Sequence, residues 1–424
     1  MEEYSKYKDS GVKWIGDIPK HWEVKKLRNL ISMTSVKNHP NETLLSVVRE
    51  QGVIVRDIEA DDNHNFIPED LSGYKLIEEG QFVINKMKAW QGSYAVSGYR
   101  GIVSPAYYTC DLRLAYKTFF NIAIRSCAYV PFFTQYSKGI RVGQWDLSPV
   151  GLKEIPFFLP PLAEQHAIVS YLDSKVGQID TYVTKQTQQI ELLKELKQAV
   201  IANAVTKGIG KNSHKPSGVS WLGDVPDHWK LRKIKYVFAE RSEKGYPEEP
   251  VLCSTQKYGV IPQHMYESRV VVVNKGLEGL KLVRKGDFVI SLRSFQGGIE
   301  YAHYQGIISA AYTILKLNDG FDAEYMKYLM KSYNFIQLLQ TCVTGIREGQ
   351  NINYSLLKKN FLPIPPLSEQ RAIVSYIEAK TASINMLIDA YEQQVERIKE
   401  YKQRLISDAV TGKINVTGKQ TQTN

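Results

Sequence analysis

The chain has 424 residues, 43% of them hydrophobic and 23% charged, which is ordinary for a globular protein and too long for a single core. Its 54 lysines and arginines exceed its 44 aspartates and glutamates, and this net charge of +10 favours a polyanionic partner such as nucleic acid. The sequence has no uncharged apolar run of about 18 residues and no apolar leader, so we expect neither a membrane span nor a signal peptide. The four cysteines lack paired spacing, which indicates reduced, mostly buried thiols in a cytoplasmic protein.

Two stretches of the sequence predict globular modules of mixed structure that lean towards strands. Short runs rich in β-branched and aromatic residues, bounded by turn residues, predict the strands. These runs are Leu44–Val55, Gln81–Asn85 and Gly101–Cys110 in the first module and Val270–Val273 in the second. Short helices are expected around Tyr116–Tyr129 and Ala323–Leu339, and the segment Thr206–Pro216 is expected to be a polar linker.

The stretch between the modules, Pro160–Gly208, predicts one long helix. Pro161 suits the first helical turn, Gly208 suits a left-handed C-terminal cap, and the only glycine between them is Gly177. Apolar residues recur at alternating steps of four and three, which is typical of a coiled-coil seam. The apolar seam residues are Leu172, Val176, Ile179, Val183, Ile190 and Leu193, and Lys197 follows in the same register.

A second long helix is predicted over residues 365–416. Ten of its first twelve residues are identical to those that begin the first helix at Pro160. Its seam residues are Ile377, Ile384, Ile388, Val395, Ile398 and Leu405, and Lys402 takes the register of Lys197. Two matched seams most simply pack on each other. We expect them to pack antiparallel, because repeats commonly meet about a two-fold axis. Parallel packing stays open, since the second module is large enough to carry the chain back along the first helix.

The internal repeat extends beyond the helices at an offset of 205 to 207 residues. The segment Trp14–Trp22, with the pattern Trp-x-Gly-Asp-x-Pro-x-His-Trp, returns as Trp221–Trp229. No second metal ligand or nucleophile accompanies His21 or His228, so we interpret these segments as aromatic clasps that fasten each module's entry strand to its core. The predicted fold class is α+β: two mixed α/β modules joined by two long helices in an antiparallel coiled coil, as a pseudo-two-fold tandem repeat. The expected segments are module 1–159, helix 160–208, module 209–364, helix 365–416 and a disordered tail 417–424.

Motifs for catalysis are missing from the sequence. There is no glycine-rich phosphate loop, no dinucleotide-binding fingerprint and no Asn/Asp-Pro-Pro-Tyr/Phe segment of an amino-methyltransferase. The histidines have no zinc-site spacing with cysteine or carboxylate. We therefore expect no catalytic residue, no metal site and no enzyme activity in this chain by itself.

Basic, amide and aromatic residues follow corresponding strands of the two modules and are candidates for DNA contact. Arginine, glutamine and asparagine can read base edges, and lysine neutralises phosphates. The candidates are Lys86, Lys88, Trp90, Gln91, Arg100, Arg141 and Gln144 in the first module, and Arg293, Phe295, Gln296, Arg347 and Gln350 in the second. Arg100 is a weaker candidate than the others, as are Tyr107 and Tyr108.

Structural roles compete with DNA contact for several of these candidates. For Trp90 and Phe295, packing in the core is the better interpretation. The four residues in the Gly-Ile-Arg-x-Gly-Gln loops recur in both modules, so a shared structural or phosphate role suits them as well as base recognition does.

The order of these parts resembles the specificity (S) subunit of type I restriction–modification enzymes. The resemblance rests on the Trp-x-Gly-Asp-x-Pro-x-His-Trp segments, the Pro-Pro-Leu-x-Glu-Gln helix openings and the Ala-Val-Thr helix ends at Ala204–Thr206 and Ala409–Thr411. It covers nearly the whole chain. It implies two target recognition domains, each reading one half of a gapped, asymmetric site in double-stranded DNA, and an antiparallel coiled coil that spaces them.

The resemblance also implies partners and cofactors. Two methyltransferase (M) subunits would dock on the helices, restriction (R) subunits would join them, and S-adenosylmethionine, ATP and Mg²⁺ would be bound by those partners rather than by this chain. Three rivals remain open at this point: a stand-alone DNA-binding or DNA-bridging protein, a fusion enzyme with its own methyltransferase, and a coiled-coil scaffold without nucleic acid.

Overall fold

The computed structural model describes residues 3–56, 67–139, 145–266, 276–344 and 351–417. The chain divides into two compact units. The first comprises residues 1–186 and 393–424, and the second comprises residues 187–392. Each unit therefore combines one globular module with parts of both long helices, and the units do not coincide with the linear segments expected from the sequence.

The first module consists of short strands and helices. Its strands are β1 (Tyr7–Asp9), β2 (Asp17–Pro19), β3 (Glu23–Lys26), β4 (Ile31–Thr34), β5 (Leu45–Val48), β6 (Gly52–Val55), β7 (Lys75–Ile77), β8 (Phe82–Asn85), β9 (Tyr94–Val96), β10 (Gly101–Val103), β11 (Tyr107–Leu112), β12 (Ser137–Lys138), β13 (Asp146–Leu147) and β14 (Pro156–Leu159). Its helices are α1 (Lys117–Arg125), α2 (Val130–Gln135) and α3 (Pro149–Glu154), with 3₁₀ turns at Leu27–Asn29 and Ala89–Gln91. The long helix α4 (Leu162–Lys207) follows.

The second module repeats this order. Its strands are β15 (His214–Pro216), β16 (Asp224–Pro226), β17 (Lys230–Lys233), β18 (Phe238–Arg241), β19 (Leu252–Thr255), β20 (Gly259–Pro262), β21 (Lys281–Val283), β22 (Phe288–Ile290), β23 (Glu300–Tyr301), β24 (Gly306–Ile308), β25 (Thr313–Leu317), β26 (Val343–Thr344), β27 (Asn351–Ile352) and β28 (Phe361–Ile364). Its helices are α5 (Ile234–Val237), α6 (Ser294–Gly297), α7 (Ala323–Met330), α8 (Tyr333–Thr341) and α9 (Tyr354–Leu357), with 3₁₀ turns at Gln263–Met265 and Leu277–Gly279. The long helix α10 (Leu367–Val410) follows.

Matching antiparallel sheets organise the two modules. The first has a four-stranded sheet in the order β4-β11-β8-β9, and the second has β18-β25-β22-β23. The hairpin β5-β6 corresponds to β19-β20, and the pair β7-β10 corresponds to β21-β24. Buried aromatic side chains such as Phe82 and Phe288 pack under these sheets, so each module has its own core. The tandem repeat predicted from the sequence is therefore confirmed at the level of topology.

Several predicted elements are divided or moved in the structure. Leu44–Val55 forms two strands with a turn at residues 49–51, and Gly101–Cys110 likewise divides into β10 and β11. Ala323–Leu339 forms two helices because the Ser332 side chain accepts a hydrogen bond from the Phe335 amide and so caps a new helix. The predicted strand Val270–Val273 lies outside the described residues.

The predicted linker Thr206–Pro216 was wrong at both ends. Thr206 is buried in the last turn of α4, where its hydroxyl donates to the Ala202 carbonyl, and His214–Pro216 form β15. Gly208 does have the predicted left-handed conformation, with φ of 75°. Helix α10 ends at Val410, six residues before the predicted end, and Ile414 and Val416 beyond it are buried in the core of the first unit.

The predicted seams coincide with the shielded faces of both long helices. All twelve apolar seam residues are buried or half-buried, while the side chains between them are mostly exposed. In the first unit, Leu172 and Ile179 of α4 belong to the same core cluster as Leu405 of α10. The period of 3.5 residues therefore identified the packing face correctly.

Within each unit the two helix segments run antiparallel. In the first unit, Lys402 Nζ donates to Asp180 Oδ1 at 2.6 Å, and Tyr182 Oη donates to Gln394 Oε1 at 3.3 Å. In the second unit, Lys197 Nζ donates to Asn385 Oδ1 at 2.8 Å. The two lysines that recur in the seams thus make equivalent bonds, since Asp180 and Asn385 are separated by the same offset of 205 residues as Lys197 and Lys402. This confirms the antiparallel coiled coil.

Candidate nucleic-acid interface

The Trp14–Trp22 segment is fastened to the first turn of α4. Trp22 Nε1 donates to Glu164 Oε1 at 3.0 Å, and His21 Nε2 lies 2.8 Å from Glu164 Oε2. The Tyr4 hydroxyl also donates to Glu164, which is only 6% exposed. A buried carboxylate needs such donors, and the helix N-terminus favours its negative charge.

The second unit repeats this clasp at the start of α10. Trp229 Nε1 donates to Glu369 Oε1 at 3.0 Å, and His228 Nε2 lies 2.7 Å from Glu369 Oε2. Both histidines therefore contact a helix carboxylate. Trp22 and Trp229 are also buried in the cores of their units, as the interpretation of the segments as clasps predicts, whereas the bonds to the long helices were not predicted.

Each clasp also contacts the end of the other long helix. Gly412 follows α10 in the first unit, where a Cβ atom would come within 2.5 Å of the Pro19 ring. Gly208 follows α4 in the second unit, where a Cβ atom would lie 3.3 Å from the Trp229 ring. One helix start and one helix end therefore meet at each clasp, as antiparallel pairing requires.

The candidate residues of the first module are mostly engaged within the module. Lys86 Nζ donates to Asp146 Oδ2 at 2.8 Å, and this hydrogen bond raises the pKa of Lys86. Arg100 Nη2 donates to Glu42 at 2.9 Å and Nη1 donates to Glu78. Both cations are therefore neutralised by neighbouring carboxylates.

The remaining candidates of the first module divide into exposed and packed side chains. Lys88 and Gln91 are exposed at a turn after β8. Trp90 is half-buried, donates Nε1 to the Met87 carbonyl at 3.2 Å and packs on Trp145 with 5.3 Å between ring centroids. This packing favours the structural interpretation of Trp90.

The two tyrosines that were weaker candidates are bonded within the first module. The Tyr108 hydroxyl donates to the Leu147 carbonyl at 3.0 Å, and the Tyr107 hydroxyl accepts from Asn85 Nδ2 at 3.2 Å.

The candidate residues of the second module lie beside an open cavity of about 420 Å³. Arg293 and Gln296 are exposed and line this cavity, together with Gln256 from the β19-β20 turn. Phe295 between them is half-buried against the core. The side chains of Arg293 and Gln296 can therefore reach a ligand, while Phe295 anchors the turn that carries them.

The remaining four candidates, Arg141, Gln144, Arg347 and Gln350, lie outside the described residues.

A second cavity, of about 840 Å³, adjoins the first and was not predicted from the sequence. Its lining includes Lys257, Tyr258, Tyr266, Lys285 and Tyr304, and the smaller cavity shares Lys257 and Tyr266 with it. We call the two adjoining cavities the basic cleft. Lysines that can bind phosphates alternate here with aromatic rings that can pack on sugars, a combination suited to a nucleic-acid site. In the sequence, the only indication of the basic cleft was the pair Lys257-Tyr258 in a turn.

His303 also lines the basic cleft and adds a neutral polar group. Burial, assisted by the charge of Lys327, lowers its pKa below the ordinary value, so the imidazole is uncharged at pH 7. A neutral imidazole can both donate and accept a hydrogen bond.

A half-buried cation supports the hairpin turn in each module. Arg125 Nη2 donates to the carbonyls of Arg49 and Glu50 at 3.0 and 2.9 Å. Lys331 Nζ donates to the Gln256 carbonyl at 2.7 Å and pairs with Glu300 at 2.7 Å. These bonds hold both turns in a defined conformation, so their exposed side chains are presented from a fixed backbone.

Two kinds of feature are absent from the described part of the chain. No group of three or more histidine, cysteine, aspartate or glutamate side chains there is arranged to hold a metal ion. No helix in the same residues combines the length and apolar character needed to cross a membrane.

Comparisons with known proteins agree with this architecture. The family model of the type I restriction modification DNA specificity domain matches residues 226–397. The MjaX specificity subunit of a type I restriction enzyme from Methanocaldococcus jannaschii is 24% identical over 435 residues, covering 95% of this chain and 96% of that subunit. The MjaVIII specificity subunit of the same organism is 24% identical over 370 residues, covering 81% and 83%.

A solved structure supports the fold. A chain from a study of complex assembly and conformational transition of the type I R-M system superposes with a TM-score of 0.64 at 16% identity, covering 94% of this chain and 99% of that chain. The clasps, the repeated modules and these matches lead to one conclusion. This chain is similar over nearly its whole length to the specificity subunits of type I restriction enzymes, and residues 226–397 match the family model of their DNA specificity domain.

Proposed function

We propose that each module of this chain reads one half of a bipartite, gapped and asymmetric site in double-stranded DNA. One observation supports the proposal: the two units share the clasp that attaches each module to a long helix, but they differ in the exposed residues of the hairpin turns. Both use the same Trp–His–Glu clasp, at distances that agree within 0.1 Å. The exposed turn residues differ, with Arg49, Glu50 and Gln51 in the first module against Gln256, Lys257 and Tyr258 in the second. Two modules that share their attachment to the long helices but differ in their exposed turn residues are suited to recognising two different DNA sequences.

The long helices set the distance between the half-sites in this proposal. They also dock two methyltransferase subunits and, through them, restriction subunits, so that the bound site directs adenine methylation or cleavage. Exposed apolar side chains on the helices support a docking role, because Leu192, Leu196 and Met386 are 56%, 50% and 73% exposed. The subunit acts where the DNA is, in the cytoplasm.

S-adenosylmethionine, ATP and Mg²⁺ belong to the partner subunits in this proposal. The support is the sequence itself, which has neither a glycine-rich phosphate loop nor the Asn-Pro-Pro-Tyr/Phe segment of an adenine methyltransferase. The role of this chain is to position DNA for those partners.

Methylation mapping tests the proposal. The chain is co-expressed with a methyltransferase (M) subunit from the same genome, and N6-methyladenine is mapped by single-molecule sequencing with and without the chain. A gapped two-part motif that appears only with the chain is the expected result. Methylation that is indifferent to the chain, combined with tight sequence-specific binding by the chain alone, would favour a stand-alone DNA-binding protein instead.

A further inference from the structure

The positive charge of the chain is distributed unequally between its two modules. Residues 209–364 contain 21 lysines and arginines against 14 aspartates and glutamates, whereas residues 1–159 contain 20 against 18. The second module therefore holds +7 of the net charge of +10, and the first holds +2. Two domains with one topology thus differ in the property that governs sequence-independent attraction to DNA.

Part of this difference lies at the tip of the corresponding hairpins. The strands β5 and β6 pair Val48 with Gly52, and β19 and β20 pair Thr255 with Gly259, so both turns contain three residues. The central residue is Glu50 in the first module and Lys257 in the second. Both are exposed, and the ammonium of Lys257 lies 4.9 Å from the centre of the Tyr258 ring.

A second reversal of charge occurs just before the central strand of each sheet. Gly80 and Gly286 occupy equivalent turns before β8 and β22 with φ of 81° and 97°. The residue before the glycine is Glu79 in the first module and Lys285 in the second, and both are exposed. Lys257 and Lys285 line the same cavity of the basic cleft. At two matched positions, therefore, the second module presents a cation where the first presents a carboxylate.

The surroundings of the basic cleft favour DNA as its ligand. Tyr258 and Tyr304 are 48% and 42% exposed, so their rings are accessible beside the two lysines. The carboxylate in the adjoining cavity, Glu300, is buried and bonded to Lys331, so the exposed charged side chains among the described lining residues are basic. In the first module, Lys86 and Arg100 are paired with carboxylates.

We propose that the second module is the electrostatic anchor of this chain on double-stranded DNA, with Lys257 and Lys285 of the basic cleft binding phosphates and Arg293 and Gln296 facing base edges. The first module contributes little to sequence-independent affinity and acts through selective contacts. This inference rests on the proposed function, because it assumes that the chain binds DNA through its modules.

The salt dependence of DNA binding by the full chain tests the inference. The probe is a fluorescent random-sequence duplex, titrated at increasing KCl concentrations. The slope of log K against log salt is negative, and the double variant Lys257→Gln/Lys285→Gln is expected to reduce its magnitude by about 1.8, since each phosphate contact contributes about 0.9. The first-module variant Lys86→Gln/Arg100→Gln is expected to change the slope by less than about 0.5, because its carboxylate partners already neutralise these cations.

Two controls separate a local site from overall charge. Lys230→Gln/Lys316→Gln removes two exposed lysines of the same module that are not part of the cleft lining, and it should leave the slope nearly unchanged. Glu50→Gln/Glu79→Gln neutralises the matched carboxylates and should strengthen binding of the duplex.

Two outcomes would overturn the inference. The first is an equal loss of slope in the cleft variant and in the Lys230/Lys316 control, and the second is a larger loss in the Lys86/Arg100 variant than in the cleft variant. A wild-type chain that binds no duplex at any salt concentration, alone or with its methyltransferase, would instead reject the proposed function.

Discussion

The indole nitrogen of Trp22 donates to the carboxylate of Glu164 at 3.0 Å, although the two residues are 142 positions apart in the chain. Trp229 and Glu369 repeat the bond at the same distance. The repeated tryptophan segments and the repeated helix openings are therefore two halves of one contact. This explains why both motifs occur twice in one chain, each pair in the same order.

The clasp predicts a strong effect of its carboxylate on stability. Glu164→Ala leaves the donors of Trp22 and Tyr4 without their partner, which is expected to lower the free energy of unfolding by about 2–4 kcal/mol. Glu164→Gln keeps one acceptor oxygen and should lose less. Denaturant unfolding followed by circular dichroism measures both.

The exposed Glu191 of α4 provides the control for the clasp variants, since its carboxylate is 62% exposed and pairs only at the surface. Glu191→Ala should cost less than about 0.5 kcal/mol. Equal losses for Glu164→Ala and Glu191→Ala would contradict the structural role of the clasp.

On α10, the effect of replacing an apolar residue on the free energy of unfolding should depend on whether that residue lies in the coiled-coil seam. Ile384 is 8% exposed and Met386, two residues later, is 73% exposed. Ile384→Asp places a charge in the seam and is expected to cost about 3–5 kcal/mol and to impair assembly with the methyltransferase. Met386→Asp should change the free energy of unfolding by less than about 0.5 kcal/mol. Unfolding and sedimentation profiles that are identical for Ile384→Asp and wild type would argue against the paired helices.

Glu300 predicts a specific pH dependence of stability. Burial raises the pKa of its carboxyl above the ordinary value of 4.5, although the bond to Lys331 acts in the opposite direction. The folded protein therefore holds this proton more tightly than the unfolded chain does. The resulting stabilisation is complete below pH 4.5 and is lost as the pH rises through the raised pKa.

Glu300→Gln removes this titration. As the pH rises above 4.5, the unfolding free energy of the wild type should fall relative to that of Glu300→Gln. Urea unfolding at a series of pH values measures it. A difference that is constant with pH, or that moves in favour of the wild type, would show that burial does not dominate at Glu300.

The cysteines predict a simple labelling result. Cys127 is exposed, whereas Cys110, Cys253 and Cys342 are buried. Burial also raises the pKa of Cys110 to about 12, so its thiolate is scarce at neutral pH. An aromatic disulfide reagent should therefore modify one thiol rapidly in the native chain and all four after denaturation. The Cys127→Ser variant should contain no rapidly labelled thiol. Rapid labelling of this variant would contradict the burial of the other three cysteines.

The regular parts of this fold were predictable because their signals are local. The seam follows from a spacing of three and four residues along one helix, and every predicted apolar seam position proved to be shielded. The left-handed cap at Gly208 was predictable for the same reason, since a glycine after a long periodic stretch marks a helix end.

Other features depend on residues that are distant in sequence. Glu164 was placed on a helix correctly, but nothing near it indicated the bond to Trp22. Arg100 was chosen as a DNA contact, yet Glu42 and Glu78 lie beside it in the fold. The run Leu44–Val55 was interpreted as one strand because the turn Arg49–Gln51 contains neither glycine nor proline. The same weak turn signal concealed Lys257 and the basic cleft.

The most direct test of the central claim is methylation mapping with variants confined to one module. Arg293→Ala/Gln296→Ala, co-expressed with the methyltransferase, should relax one half of the gapped motif while the other half and the gap stay unchanged, because a lost base contact costs about 1–3 kcal/mol of discrimination at its own position. Lys88→Ala/Gln91→Ala in the first module is the matched comparison and should act on the opposite half or on neither. A change in both halves at once, or in the gap, from the Arg293/Gln296 variant would contradict the assignment of one half-site to each module.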